Sequence, residues 1–286
     1  MFLQLFVLGI TKGSIYALLS VSFGVIYFTT RTFHLAHGAV FVLTAYCYYL
    51  FTSLLKLPLL PAVLLCFPVA VLLGTLMERF IYMPLRQRYA SSTILLLSSL
   101  AILITTPPVL AIFFSANPLF FPDFPITSVA IGDMNIPGAQ MFMLSSFIFI
   151  GLLLILLQRT GIAKLMRAVA DREIVAEAIG INVSRVKLTA MAVGSILLVP
   201  VSILWGYDTG LIPSMGFNAI LIASACAIMG GLGNIFGAAL SGIIIGVAMK
   251  VGVAFTSSLW AEGIAFLVLV IVLLIRPEGI FQAKTR

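Results

Sequence analysis

The segment "LMRAVADREIVAEAIGINVSRVKL" (residues 165–188) carries many charged side chains within a chain that is otherwise strongly apolar. A charge-free run at residues 134–158 precedes it, and another at residues 188–207 follows it. About 20 consecutive apolar residues suffice for a helix to cross the hydrocarbon core of a bilayer. The two runs therefore predict membrane-spanning helices, and the segment between them predicts a charged loop on one face of the membrane.

The composition of the whole chain agrees with this interpretation. Of its 286 residues, 62% are apolar and only 9% are charged, and the mean hydropathy is +1.22. Soluble domains carry about 25% charged residues, and the alternating segments typical of outer-membrane barrels do not occur. We therefore predict an all-α, polytopic membrane protein in which residues 1–286 form a single transmembrane domain.

The charge-free runs predict nine transmembrane helices, and a count of eight or ten stays open if one segment is re-entrant. The spans are expected near residues 3–28, 33–55, 59–81, 92–114, 138–158, 188–206, 216–230, 235–256 and 259–275. The charged loop between the fifth and sixth spans then covers about residues 159–187.

The basic residues indicate an orientation, because cytoplasmic loops of membrane proteins carry an excess of Lys and Arg. If the charged loop is cytoplasmic, the N-terminus lies outside, the C-terminus lies inside, and 13 of the 16 basic residues lie on the inner side. These are Arg31, Arg79, Arg86, Arg88, Arg159, Lys164, Arg167, Arg172, Arg185, Lys187, Arg276, Lys284 and Arg286. The basic exceptions are Lys12, Lys56 and Lys250, and the outer loops contain Asp123, Asp133 and Asp208. The net charge of +7 thus reflects orientation and gives no reason to expect a nucleic-acid partner.

Within the charged loop the sequence predicts a short amphipathic helix. Asp171 can cap its N-terminus, Gly180 can end it in the left-handed conformation, and Ser184 is expected to cap the sixth span. The helix carries an apolar stripe formed by Ile174, Val175, Ala178 and Ile179. A ten-residue helix needs cover for such a stripe. Because its polar face holds two glutamates beside one arginine, a protein partner is favoured over the lipid surface.

The first span is irregular at "LGITKGSIYAL" (residues 8–18), where Lys12, Gly13 and Ser14 interrupt the apolar run. We expect a broken helix there, because non-helical backbone at membrane depth is tolerated where it lines a cavity; a packing kink is the alternative. Lys12 can attract an anionic group of a solute or pair with Asp208. An interfacial ion pair or snorkelling of Lys250 and Glu262 accounts for the other two charges without a transport role.

Small residues recur every four positions around the eighth span, which predicts close helix–helix packing. The two sets are Gly233, Gly237 and Ser241, and Ala238, Gly242 and Gly246.

Catalytic and metal-binding motifs are absent from the sequence. It contains no phosphate-binding G-x-x-x-x-G-K-[ST] loop, so the chain is not expected to hydrolyse ATP by that route. His34 and His37 have the spacing of two metal ligands on a helix, but no further ligand is placed to complete a site. We expect no metal and no enzymatic activity, and these histidines either pack or line a solute path.

Four segments occur in an order that matches a known family. They are "GITKGSIYALLSVSFGVIYFTTRTFHLAHGAVFVLTAY" (9–46), "RAVADREIVAEAIGINVSRV" (167–186), "PSMGFNAILIASACAIMGGLGNIFGAALSGIIIG" (213–246) and "LLIRPEGIF" (273–281). Together they resemble the inner-membrane permeases of branched-chain amino acid ABC importers, the shorter of the two permease types in that family.

The resemblance implies a multi-pass subunit in a bacterial inner membrane with several partners. These would be a second homologous permease, two cytoplasmic ATP-binding subunits that bind the ATP, and an external solute-binding protein, with lipid around the helices. The charged loop would engage the ATPase, with coupling residues at Arg167, Asp171, Arg172, Glu177 and Gly180. The permease itself would need no cofactor.

The solute is less well determined by the resemblance. His34 stands where the family often has Asn, Lys12 occupies a position that is usually uncharged, and Asn234 replaces a usual Ser. Branched-chain amino acids are the commonest expectation, and urea or short amides are the alternative. We expect the solute path along the first two spans, at Lys12, Gly13, Ser14, Tyr16, His37 and Gly38. A self-sufficient secondary transporter or channel is a hypothesis of a different class.

Overall fold

The computed structural model describes residues 2–121, 128–131 and 134–281. Its helices are α1 (Phe2–Thr30), α2 (His37–Tyr49), α3 (Leu59–Met77), α4 (Met83–Gln87), α5 (Ser92–Phe114), α6 (Gly138–Leu157), α7 (Gly161–Asp171), α8 (Glu173–Ala178), α9 (Val183–Thr209), α10 (Met215–Gly230), α11 (Ile235–Val253) and α12 (Ala261–Ile275). Asp123, Asp133, Lys284 and Arg286, which the predicted topology uses, lie outside the described residues.

Two π-helical turns lengthen the membrane helices. One, Leu50–Leu54, extends α2, and the other, Glu78–Tyr82, joins α3 to α4. Such turns widen the helix by one residue and often occur at functional positions. The result is continuous apolar helices over His37–Leu54 and Leu59–Gln87.

The helical class expected from composition is confirmed. Seven helices in the described chain are long and apolar enough to cross a bilayer, and Met215–Gly230 and the described stretch Gly138–Leu152 of α6 are shorter apolar segments. Each of the nine predicted spans overlaps one of these helices, but only seven of them are long enough to count as candidate membrane spans. A two-stranded antiparallel hairpin, β1 (Ser128–Ile131) with β2 (Met134–Pro137), lies between α5 and α6 and was not predicted.

The predicted break in the first span is wrong, because α1 is one helix through Lys12, Gly13 and Ser14. The hydroxyl of Ser14 donates to the carbonyl of Thr11 at 2.6 Å and stays within the helix. Gly13 lies against the backbone of Ile243 in α11, where an added Cβ would be 2.8 Å from that residue's Cα. The small residue therefore serves the contact between two helices and does not interrupt α1.

The small residues of α11 lie on the other side of the same contact. A Cβ on Gly242 would overlap the backbone of Ala17, and one on Gly246 would overlap Gly13. Gly237 approaches Gly230 at the end of α10 in the same way. Gly233 differs, since it lies in the turn before α11 with a φ of +95°.

Burial is uneven among the helices. In the apolar 18-residue segment of each helix, 72% of the residues of α1 and 67% of those of α9 are buried. The corresponding shares are only 22% for the helix that contains α3, 28% for α5 and 6% for the helix that contains α12. α1 and α9 therefore form the centre of the bundle, while α3, α5 and α12 present apolar faces outwards to lipid or to another subunit.

Candidate functional site

Lys12 lies in a polar cluster at one end of the bundle. Its ammonium group forms an ion pair with the carboxylate of Asp208 in α9, and the side-chain amide of Gln140 in α6 donates to the same carboxylate at 3.3 Å. The hydroxyl of Thr11 lies 3.4 Å from the Gln140 oxygen. Of the two roles considered for Lys12, the structure shows the ion pair, so its charge is neutralised within the chain.

Aromatic rings enclose the same ammonium group. Lys12 Nζ lies 4.9 Å from the centroid of the Trp205 ring and 5.9 Å from that of Tyr16, and these two rings are 5.6 Å apart. The negative faces of aromatic rings attract cations at such distances. Lys12 is consequently held by α9 through both a carboxylate and an indole.

A small cavity of about 160 Å³ lies beside this cluster. Its walls include two of the six predicted pathway residues, Lys12 and Tyr16, together with Lys250 of α11. No ion pair joins Lys250 to Glu262 among the described residues, so that alternative in the sequence analysis is wrong. The cavity therefore brings the side chains of Lys12 and Lys250 to one small space between α1 and α11.

The two histidines lie close together near the other end of α1. The hydroxyl of Ser22 donates to the carbonyl of Gly194 at 2.7 Å, so Nε2 of His37 donates to Ser22 at 2.6 Å. Nδ1 of His34 lies 2.6 Å from the hydroxyl of Tyr82, and the two imidazole centroids are 5.6 Å apart. These bonds join α1, α2, α9 and the π turn after α3.

Each imidazole keeps one ring nitrogen, Nε2 of His34 and Nδ1 of His37, without a hydrogen-bond partner among the described residues. Burial, and then the neighbouring His37 and Arg86, lower the pKa of His34 well below its usual value. No group of three His, Cys, Asp or Glu side chains with metal-binding geometry occurs in the described part of the chain. The lowered pKa keeps His34 neutral near pH 7, and hydrogen bonds to Tyr82 and Ser22 hold both imidazoles inside the bundle.

Gly38, the remaining pathway residue, is a helix contact. A Cβ there would overlap the carbonyl of Gly216 in α10, and a Cβ on Gly216 would overlap Gly38 in turn. All six predicted pathway residues, namely Lys12, Gly13, Ser14, Tyr16, His37 and Gly38, are buried in this single chain. A solute can reach them only if helices move apart or if another subunit completes the path.

A buried ion pair that sequence reasoning missed lies next to His34. Arg86 binds Glu78 through two parallel hydrogen bonds of 2.6 and 2.8 Å, and the Glu78 side chain is only 2% exposed. Bidentate pairs of this type are among the stronger charged contacts. The available signal was a glutamate at the end of a predicted span with an arginine two helical turns later.

The charged loop folds as two helices and not as one. α7 runs from Gly161 to Asp171 and is capped by Thr160, whose hydroxyl accepts from the backbone N–H of Ala163. Arg172 is extended, with a φ of −150°, and caps α8 without a side-chain bond. The prediction that Asp171 caps the short helix is wrong, because Asp171 is the last residue of α7 and Arg172 occupies the N-cap position of α8.

The end of α8 follows the sequence prediction. Gly180 has a φ of +88°, and the N–H of Ile181 bonds to the carbonyl of Ala176 at 3.0 Å, the geometry of a helix that terminates on glycine. α9 is capped by Asn182, which accepts from the N–H of Arg185 at 3.0 Å. Ser184 therefore does not cap this helix, because α9 begins one residue before it.

The apolar stripe of α8 is exposed in the single chain. Ile174 is 84% exposed, Ile179 71% and Val175 49%, and only Ala176 turns inwards. Such a stripe on a six-residue helix is a surface that needs cover.

A second ion pair missed by the sequence analysis connects this helix to the bundle. Lys187 of α9 donates to Glu173 of α8 at 2.6 Å, and its side chain is only 4% exposed. Lys187 is therefore buried beneath α8. Arg31, the residue after α1, donates to the carbonyl of Ala170 at 3.2 Å and so holds α7 as well.

Residues 5–273 match the family model described as "Branched-chain amino acid transport system / permease component". The chain belongs to this family. The permease is 27% identical to the high-affinity branched-chain amino acid transport system permease protein BraD of Pseudomonas aeruginosa, over 98% of this chain and 95% of that protein. It is 26% identical to LivH of Escherichia coli K12 over the same shares. It is also 26% identical to the probable LivH of Methanocaldococcus jannaschii, over 95% of this chain and 90% of that protein.

A solved structure shares the fold at lower identity. PsaBC from Streptococcus pneumoniae in complex with Fab matches 97% of this chain and 93% of the other with a TM-score of 0.53 and 14% identity. Family membership identifies the permease as a membrane transport subunit and not an enzyme.

Proposed function

We propose that the permease is the membrane subunit of an ABC importer that moves branched-chain or related amino acids across a bacterial inner membrane, with separate ATPase subunits supplying the energy. The exposed apolar stripe of α8 carries this proposal. It lies on a charged segment that is tied to the central helix α9 and has no cover within the described chain. BraD and LivH, which match along nearly the whole length, are described as parts of branched-chain amino acid transport systems.

The proposed topology has nine transmembrane helices, an outer N-terminus and an inner C-terminus. The end of α1 at Arg31, helix α7 and the turn at Gly233 surround one cleft, whereas Lys12 and Lys250 line a cavity at the other end. If successive helices cross the membrane in alternating directions, the cleft and the cavity lie on opposite sides of it. The positive-inside rule then assigns the α7 side to the cytoplasm.

The proposed coupling device is α7 and α8 together with their attachment to α9. Arg167, Asp171, Arg172 and Glu177 are exposed and available to an ATPase, and Gly180 fixes the end of α8. α9 has 27 residues, a length of about 40 Å at 1.5 Å per residue. Lys187 lies near its start and Asp208 near its end, so a shift of α8 would be transmitted to the Lys12 cluster.

The proposed solute path runs along α1 and α2 beside Lys12, Gly13, Ser14, Tyr16, His37 and Gly38. Asp208 neutralises Lys12, whereas Lys250 lines the same cavity and forms no ion pair among the described residues. A zwitterionic amino acid fits this arrangement, since its carboxylate can face Lys250 and its ammonium group can face Asp208. A second permease would pack on the exposed apolar faces, and the external binding protein would deliver solute on the Lys12 side. ATP would be bound by the partner subunits only.

Uptake by reconstituted vesicles tests this proposal. With the second permease, ATPases and binding protein present, we expect ATP-dependent leucine uptake that disappears when the ATPases are omitted. The change Ile174→Asp should reduce uptake at least about tenfold, because it puts a charge in an apolar contact, whereas the control Ile174→Leu should retain most of it. Ion-gradient-driven uptake by the permease alone would instead support a secondary transporter and refute the importer proposal.

A further inference from the structure

A cleft of about 550 Å³ opens on the α7 side of the bundle. This volume falls in the usual range for small-molecule sites, about 300–1,000 Å³. Its walls come from α1, α6, α7, α9 and the turn that precedes α11. The apolar part of the lining is formed by Val25, Phe28, Leu154, Ile162, Val193 and Phe236.

Two arginines line the same cleft. Arg31 donates from Nη2 to the carbonyl of Ala170 at 3.2 Å, and Arg167 donates from Nη2 to the carbonyl of Gln158 at 2.7 Å. Neither guanidinium lies within 4.0 Å of a carboxylate among the described residues. Backbone carbonyls fix their positions but do not neutralise them, so the cleft contains two positive charges without a counter-charge.

The position of these charges at the end of the helices restricts the ligand. A guanidinium binds phosphate through paired, charge-assisted hydrogen bonds, and basic pockets between helices near the membrane surface suit anionic headgroups. The apolar wall continues from the arginines along α1 and α9, in the direction of the hydrocarbon core. A ligand with an anionic head and an apolar tail matches both parts of the cleft.

We propose that the cleft binds an anionic phospholipid from the leaflet on the α7 side, with its phosphate held by Arg31 and Arg167 and an acyl chain against Val25, Phe28 and Val193. This inference does not depend on the transported solute or on the energy source. The lipid contacts α1, α7 and α9, the three elements that connect the charged segment to the Lys12 cluster. Its binding therefore stabilises α7 in the position seen here.

The test measures lipid retained by the purified full-length permease, using native mass spectrometry after incubation with phosphatidylglycerol or phosphatidylcholine. We expect retention of phosphatidylglycerol over phosphatidylcholine, and a loss of about tenfold or more in the double variant Arg31→Gln/Arg167→Gln. The control is Arg88→Gln, an exposed arginine after α4 that does not line the cleft. It should retain phosphatidylglycerol as the unchanged protein does.

A second variant tests the acyl-chain contact without removing charge. Val193→Trp fills part of the apolar wall and should also reduce phosphatidylglycerol retention several-fold, and it carries the test if the double variant fails to fold. Soluble glycerol 3-phosphate distinguishes lipid from free phosphate. Equal competition by this compound, equal retention of phosphatidylcholine, or unchanged retention in both variants would each overturn the proposal. So would loss of the lipid on assembly with the other subunits, because another protein would then cover the cleft.

Discussion

The ammonium group of Lys12 has a carboxylate on one side and aromatic rings on the other. The side chains of Lys12 and Asp208 are only 10% and 18% exposed. Both charges are therefore largely removed from water. A buried pair of this kind adds little compared with apolar residues of the same size, but removing one partner leaves an uncompensated charge.

Asp208→Asn should therefore destabilise the permease by about 3–5 kcal/mol. Lys12→Met/Asp208→Asn should recover most of the loss, because neither charge remains. Thermal unfolding in detergent measures both. Equal melting temperatures for Asp208→Asn and the unchanged protein would show that water or lipid solvates Lys12 instead.

His34 introduces a pH dependence. Since its pKa is lowered in the folded chain by burial, the unfolded chain binds more protons below about pH 6.5. Stability is thus highest when His34 is neutral and falls as the pH drops, by up to about 1.4 kcal/mol per pH unit. His37, Tyr82 and Arg86 lie around this imidazole, and Glu78 is paired with Arg86.

The change His34→Asn should make the melting temperature less sensitive to acid between pH 7.5 and 5.5. Asn can still bond to Tyr82 but does not titrate. The comparison is the slope of melting temperature against pH in the two proteins. Identical slopes would mean that other groups cause the acid sensitivity.

At the scale of the elements, the contact between α1 and α11 depends on residues without side chains. Gly13, Gly242 and Gly246 allow the two backbones to touch. In a membrane the hydrophobic effect does not drive helices together. Their association therefore depends on van der Waals contacts between closely packed helices.

Gly242→Val should prevent this contact and give little folded protein, because the new Cβ would overlap the backbone of Ala17. Gly151→Val is the matched control, since no atom lies within 4 Å of a Cβ added in α6. The yield of monodisperse protein on size-exclusion chromatography measures the effect. Similar yields of the two variants would contradict the packing shown here.

α8 and α9 are connected by the pair Glu173–Lys187. If this pair transmits motion, Lys187→Glu should reduce solute uptake by about tenfold or more while ATP hydrolysis by the assembled importer continues. The exchange Glu173→Lys/Lys187→Glu should restore part of the uptake, because it reverses the charges and keeps the pair. Unimpaired uptake in the single variant would remove this pair from the coupling path.

At the scale of the whole molecule, the bundle has a buried centre and an incomplete exterior. α1 and α9 are enclosed, whereas α12 and much of α3 and α5 face outwards. The polar clusters lie at opposite ends of the enclosed helices, and α9 is the element common to both. Under the proposed function, α9 would pass a displacement from one face to the other, and partner subunits would cover the outward apolar faces.

The sequence by itself determined the helical membrane class, the positions of the apolar helices, the glycine end of α8 and the family. These depend on local composition, because transfer into a bilayer and helix termination are properties of short segments. Only the tertiary structure decided that Lys12 pairs with Asp208, that α1 continues through Gly13, and that Lys187 is buried under α8. Residues 12 and 208 are distant in sequence, so no local pattern pairs them. A glycine such as Gly13 has the same sequence surroundings whether it kinks a helix or allows a second helix to approach. The order in which helices pack around one another selects among such alternatives, and it is set by the summed contacts of the entire bundle.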